Sequence, residues 1–303
     1  MSTDPDQIMD RRRLKRRITA WRTLAIFAVV GALALVVQNQ IGDRISGDHV
    51  AWLNVRGIII ENRNREESLR QLVEYYRAKA LIVYIDSPGG TTYGGEELFH
   101  SLREIANEKP VVAVIGTLGT SAGYLVALAS DRIFARATSL TGSIGVLMET
   151  AEISQLLESV GISTEAIKSG AFKGTPSPFE PMSEASRRVV QSVVDDSNRW
   201  FVGILAERRG LSPDEARALG NGRVYTGRQA LEVGLIDELG AAIDARKWLE
   251  RQHNISSRLP LRDSFDQKTR ENWLGRLLGL AKKMVFSERL TLDGLISLWH
   301  PKS

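Results

Sequence analysis

The 303 residues carry 43% hydrophobic and 25% charged side chains, a globular balance with room for one large domain or two small ones. The absence of cysteine excludes thiol catalysis, cysteine zinc sites and disulfide frameworks, and leaves the compartment open. The net charge of +4 does not indicate nucleic-acid binding: much of the excess sits between Arg11 and Arg17 with Arg22 close behind, and the remainder is near neutral rather than a broad basic face.

In chain order, residues 1–22 read as a basic tail. Thr23 to Gly42 contains no charged residue and has a continuous apolar centre from Leu24 to Val37. About 20 residues of helix cross the roughly 30 Å hydrocarbon layer, so 23–42 predicts one transmembrane anchor. The basic cluster before it places the N-terminus in the cytoplasm and the remainder on the exported side of the membrane. A cleaved signal peptide is the rival reading, since Ala32-Leu33-Ala34 imitates a small-x-small cleavage site. The apolar run continues through Val37, whereas such a site normally follows a more polar exit.

From about Asp48, β-branched runs alternate with amphipathic stretches, the sequence form of an α/β domain, here over 48–252. Strands are expected at Val50–Val55, Gly57–Ile60, Ala80–Ile85, Val111–Ile115, Arg132–Ala135 and Ile162–Ile167. Helices are expected at Glu66–Lys79, Tyr93–Asn107, Tyr124–Ala129 and Glu152–Val160. A long helix starts after Ser183 as N-cap and runs to about Arg209, and Ser212-Pro213-Asp214-Glu215 spells a capping box. Residues 253–303 form a C-terminal extension in which Trp273–Val285 is amphipathic, suited to a helix packed on its own domain, or to a membrane or partner surface.

Two strand–glycine–helix junctions could carry chemistry. Asp86-Ser-Pro-Gly-Gly90 allows a sharp turn with N–H groups facing outward, although a plain βα turn reads the same way. In Gly119-Thr-Ser121-Ala-Gly123, small neighbours leave the serine hydroxyl accessible as at a nucleophile turn, although a helix N-cap is the commoner fate of such a serine.

A nucleophilic serine needs a base. The four histidines are His49, His100, His253 and His300, and none lies between Leu102 and Gln252. His100 alone is plausibly placed, and it falls on an amphipathic helix surface. A lysine taken out of water can act instead, whereas arginine does not deprotonate. Among Lys79, Lys109, Lys168, Lys173 and Lys247, Lys173 is best placed, in a glycine-flanked loop beside Phe172, although a solvated loop lysine would look alike.

Taken together, Asp86-Ser-Pro-Gly-Gly90, Thr120-Ser-Ala-Gly123, Leu140-Thr-Gly-Ser-Ile-Gly-Val146 and Ile167-Lys-Ser-Gly-Ala-Phe-Lys173 resemble, in order and spacing, the bacterial signal peptide peptidase A family. The resemblance continues through Gly222-Arg-Val-Tyr-Thr-Gly-Arg-Gln-Ala230 and Gly234–Gly240, and so covers roughly Val50 to Lys247. It implies Ser121 as nucleophile, Lys173 as general base, Ser143 as a serine that hydrogen-bonds the lysine amine, and the Gly90 and Ala122 N–H groups as oxyanion hole, with no metal and no cofactor. The family often has Ser-Gly-Gly where this chain has Ser121-Ala122-Gly123; alanine serves there if its backbone angles are negative.

The resemblance also implies a Clp protease/crotonase-like fold of repeated βα units with a parallel sheet. It implies a homo-oligomeric ring in which neighbouring subunits complete the Ser-Lys dyad. The substrates it implies are remnant signal peptides and other membrane-derived peptides, cleaved at the bacterial inner membrane on its exported side. Two other readings compete: a crotonase-like acyl-thioester enzyme, which normally needs carboxylates that the Ser121 and Lys173 loops lack, and a catalytically inactive membrane scaffold.

Overall fold

The computed structural model describes residues 47–263 and 265, together with 18, 21–29 and 31. One eight-stranded sheet organises the described chain: β1 (His49–Ile59), β2 (Ala78–Gly90), β3 (Val111–Thr120), β4 (Arg132–Ala135), β5 (Leu140–Gly142), β6 (Val224–Thr226), β7 (Glu238–Leu239) and β8 (Leu261–Asp263). The order is β6-β5-β3-β2-β1-β8, with β4 pairing β3 and β7. Every pairing is parallel except β5 with β6.

A sheet of this kind is covered on both faces, and for that reason its central strands read as unbroken apolar runs. Along β2, Leu81, Val83 and Ile85 enter one core with Leu98, Leu102 and Ile105 of the helix Thr92–Glu108. Ala80 and Ile82 enter a second core with Ala245 and Leu249 of the helix Ala242–His253. Burying each large aliphatic side chain stabilises the fold by roughly 1.5–3 kcal/mol, so the double coverage of β2 and β3 makes them the rigid frame of the molecule.

The caps follow the sequence closely. Ser183 caps the helix Glu184–Arg209, and Ser212 with Glu215 forms the capping box of Pro213–Leu219. Arg132–Ala135 is a strand with the expected bounds.

Other expectations are corrected. The two strands expected at 50–55 and 57–60 are one, β1, with a register break between Arg56 and Ile58. The helix expected over 66–79 is Arg63–Glu74, because Ala78 already belongs to β2. Ile162–Ile167 is not a strand; no ladder partner reaches it, and Ile167 is 98% exposed.

Of the predicted anchor at 23–42, the described residues fall mostly in a helical stretch at 21–29, and the rest lies outside the described residues. No helix among the described residues is long and apolar enough to cross a membrane. Trp273–Val285 also lies outside the described residues.

Candidate active site

The C-terminal ends of β2 and β3 converge on a cleft of about 490 Å³ lined by Gly90, Ser121, Ala122 and Ser143, with Leu125, Val146, Leu147, Trp200 and Phe201 making much of its apolar wall. Four of the five expected site residues therefore share one cavity. Its size suits a ligand or a peptide side chain.

Ser121 is the single residue between the end of β3 and the helix Ala122–Leu128. Its φ of 54° and ψ of −124° lie where a side chain is normally strained, at a cost of about 1–3 kcal/mol. Its N–H donates to the Gly142 carbonyl at 2.9 Å, and its carbonyl accepts from the Tyr124 and Leu125 N–H groups at 2.9 and 3.0 Å. The backbone is thus held from both sides. Its hydroxyl makes no capping bond to the helix, so the N-cap role that sequence alone favoured is not the one adopted.

Beneath it, Tyr124 is fully buried and its hydroxyl donates to the Leu235 carbonyl at 2.6 Å, which anchors the short helix. Burial pushes that phenol's pKa up, so it stays a neutral donor.

The glycine turn lies against this serine. Gly89 has a φ of 120°, and a Cβ there would stand 2.8 Å from Ser121 Cβ, 3.2 Å from its Oγ and 3.3 Å from the Ala122 nitrogen. Only a bare backbone leaves that space open. Gly90 packs as tightly on β1, where a Cβ would meet the Ile59 carbonyl oxygen at 1.9 Å. Thr120 Oγ1 donates to the Pro88 carbonyl at 3.0 Å, joining the turn to the end of β3. Ala122 is absent from the positive-φ residues, so the alanine found in place of glycine carries no backbone strain.

Among the described residues, positive φ outside glycine falls on Ser121, Ser143 and Asn254. Asn254 closes a helix; the two serines line the cleft. This shared strain is a signal that sequence reasoning missed, since no residue preference reports a serine in glycine's conformation.

Ser143 is held by its N–H donating to the Arg223 carbonyl at 2.8 Å, and the Gly222 N–H donates to the Ile144 carbonyl at 3.0 Å. Gly142 has a φ of 83°, with no room for a Cβ against Tyr225 and the Arg223 carbonyl. The downstream segment Gly222–Thr226 thus backs both serines, through β5 and its antiparallel partner β6.

Lys173 stands apart. It is exposed on a turn, with its N–H on the Gly170 carbonyl at 3.1 Å, and it does not line the cleft. At the base of its loop Lys168 pairs with Glu180, and Thr164 Oγ1 donates to the Phe179 carbonyl at 3.1 Å. The cleft lining contains no histidine, lysine, aspartate or glutamate. His100 is exposed on its helix beside Glu96, and His49 is buried with Nδ1 at the Gly47 carbonyl. Among the described residues, Gly90, Ser121, Ala122 and Ser143 share a cleft that none of the candidate bases lines.

Residues 103–256 match the family model described as Peptidase family S49, a span that contains Ser121, Ser143 and Lys173. A protein from Synechocystis named "Putative protease" is 37% identical over 201 residues, covering 66% of this chain and 72% of that one. The chain belongs to peptidase family S49.

Other relatives extend the match. An Enterococcus faecium protein named "Putative signal peptide peptidase SppA" is 29% identical over 255 residues, covering 79% of this chain and 74% of that one. The chloroplastic "Serine protease SPPA" of Arabidopsis thaliana is 30% identical over 190 residues, 62% of this chain and 28% of that one. Among solved structures, a mutant ClpP1 from Listeria monocytogenes has a TM-score of 0.43 and 16% identity, over 69% of this chain and 98% of that one.

Proposed function

We propose that this S49 peptidase is a membrane-anchored serine endopeptidase in which Ser121 is the nucleophile and Lys173, from a neighbouring subunit of a homo-oligomeric ring, is the general base. The observation that carries the reading is the strained Ser121, its hydroxyl uncommitted to its helix, facing Gly89-Gly90 and Ala122 in an open cleft. Neutral Lys173 takes the hydroxyl proton as Oγ attacks the peptide carbonyl. The Gly90 and Ala122 N–H groups hold the oxyanion, each worth roughly 3 kcal/mol in comparable sites. Collapse breaks the C–N bond, and the lysine returns its proton to the leaving amine. Water, deprotonated by the same lysine, attacks the acyl-enzyme; collapse breaks the bond from the acyl carbon to Ser121 Oγ, and the lysine returns the proton to that oxygen. Ser143 orients the amine from within the cleft.

The exposed position of Lys173 supports a base shared between subunits. So do the exposed apolar side chains of the segment that carries it: Leu156, Ile167, Phe172 and Phe179 all face outward. Surface of that kind marks an interface, and a lysine pressed into a neighbour's cleft leaves water, the condition for a lysine to act as base. Labelling of the full-length protein with a serine-reactive acylating probe tests the nucleophile. The adduct is expected on Ser121, and an adduct elsewhere would overturn the assignment.

Mixing tests the sharing. Ser121→Ala and Lys173→Ala are each expected to be inactive, and co-assembly in equal amounts should restore about a quarter of the sites, those pairing an intact serine with a neighbour's intact lysine. A dyad within one chain would leave every mixed site dead.

The substrates proposed are remnant signal peptides and other membrane-derived peptides, on the exported face of the bacterial inner membrane. The name of the Enterococcus faecium relative and the uncharged stretch 23–42 behind its basic run support this. So does the cleft wall, where Leu125, Val146, Leu147, Trp200 and Phe201 favour an apolar side chain on the residue whose carbonyl is attacked. Peptides with aspartate there are expected to show kcat/KM roughly a hundredfold below those with leucine, since an unpaired charge in an apolar pocket is costly. Equal turnover of the two would refute the assignment of that wall.

A further inference from the structure

We infer that Ser87 is a positioning residue for this hydrolysis: its hydroxyl holds the Gly89-Gly90 turn so that the Gly90 N–H meets the oxyanion. The inference rests on the roles of Ser121 and Gly90 proposed above. Ser87 is fully buried, inside a break in the pairing of β1 with β2. β1 pairs Arg56 with Asp86 and Ile58 with Gly89, so the single residue Gly57 faces two, Ser87 and Pro88. Proline has no N–H to give to a ladder. At this point backbone pairing alone cannot fasten β2 to β1.

The hydroxyl of Ser87 supplies the missing rung. Its Oγ lies 2.6 Å from the Gly57 carbonyl, to which it donates its one proton, and accepts from the Gly89 N–H at 3.1 Å. The Gly89 carbonyl, at 3.3 Å, is the longer alternative acceptor. One buried atom therefore joins β1, at a glycine with a φ of 68°, to the turn whose next residue is the oxyanion donor.

The fit around the turn leaves little slack. A Cβ on Gly89 would stand 2.8 Å from Ser121 Cβ, and one on Gly90 would stand 1.9 Å from the Ile59 carbonyl oxygen. Oxyanion donors act over 2.7–3.1 Å, so a shift of a few tenths of an ångström in the turn is felt in the rate. Ser87 touches neither substrate nor nucleophile in this scheme; it acts through Gly89 and Gly90.

The test compares the full-length, assembled Ser87→Ala variant with wild type and with Ser121→Ala. For Ser87→Ala, kcat is expected to fall about ten- to a hundredfold with KM within about twofold, as for a misplaced rather than a lost group. Affinity for a peptide aldehyde, whose hemiacetal oxygen occupies the oxyanion position, should fall by the same factor as kcat/KM. A merely structural role would lower the fraction of titratable sites and leave that correspondence absent.

Unchanged kcat in Ser87→Ala beside an inactive Ser121→Ala would overturn this inference alone, as would a fall in kcat with unaltered aldehyde affinity. Turnover by Ser121→Ala would instead overturn the nucleophile and this inference with it. Should the alanine variant fail to assemble, Ser87→Cys, which retains a weaker donor and acceptor at similar volume, carries the same comparison with a smaller fall.

Discussion

Ser121→Ala is expected to bring peptide hydrolysis down by about a millionfold, the scale seen when a serine nucleophile is removed from a peptidase. The fold should not register the change. The hydroxyl makes no capping bond, and alanine at a φ of 54° is strained no more than serine. The thermal midpoint should stay within about 2 °C, because a change well under 1 kcal/mol moves a domain of this size by no more. Residual wild-type turnover in the alanine variant would refute the nucleophile. A large drop in the midpoint would show that the hydroxyl has a structural role which the uncapped helix does not suggest.

Gly90→Ala is expected to cost less in rate but more in stability, for a different reason. The new Cβ would lie 1.9 Å from the Ile59 carbonyl oxygen, so the end of β2 must move away from β1. That oxygen also accepts the Thr91 N–H at 2.9 Å, and Thr91 caps the helix Thr92–Glu108. Loss of one aligned oxyanion donor costs about a hundred- to a thousandfold in kcat. The forced separation adds about 1–3 kcal/mol of overpacking.

Gly203→Ala provides the contrast. Gly203 sits inside the helix Glu184–Arg209 with nothing within 4 Å of a Cβ, and should gain up to about 1 kcal/mol from the better helix former. Equal kcat in Gly90→Ala and wild type would remove Gly90 from the oxyanion hole.

Several elements were legible in the sequence because their causes are local. The cap at Ser183 and the capping box at Ser212 follow from side-chain chemistry within four residues. The apolar runs at 80–85 and 111–115 follow from burial on two faces. The strands extend further than those runs, to Gly90 and Thr120, because backbone pairing continues through glycines that carry no hydrophobic signal.

Ile162–Ile167 misled because apolar spacing assumes that burial happens within the chain, and here those side chains are left open. The site divides in the same way. Gly90, Ser121, Ala122 and Ser143 meet in one cleft, reached from motifs in order. The strain at Ser121 and Ser143 was invisible, since it is imposed by the Gly142 and Arg223 carbonyls across β5 and β6 and not by neighbouring residues.

The exposed turn bearing Lys173 has a consequence for how such a peptidase is kept harmless. Under the shared dyad, a newly made subunit is latent, because what it lacks is a second copy of itself. Dilution should switch it off and crowding should switch it on, with initial rates rising faster than linearly in protein concentration below the assembly threshold. The safety catch is then stoichiometric: a stray subunit can bind a peptide at its cleft and still leave it uncut.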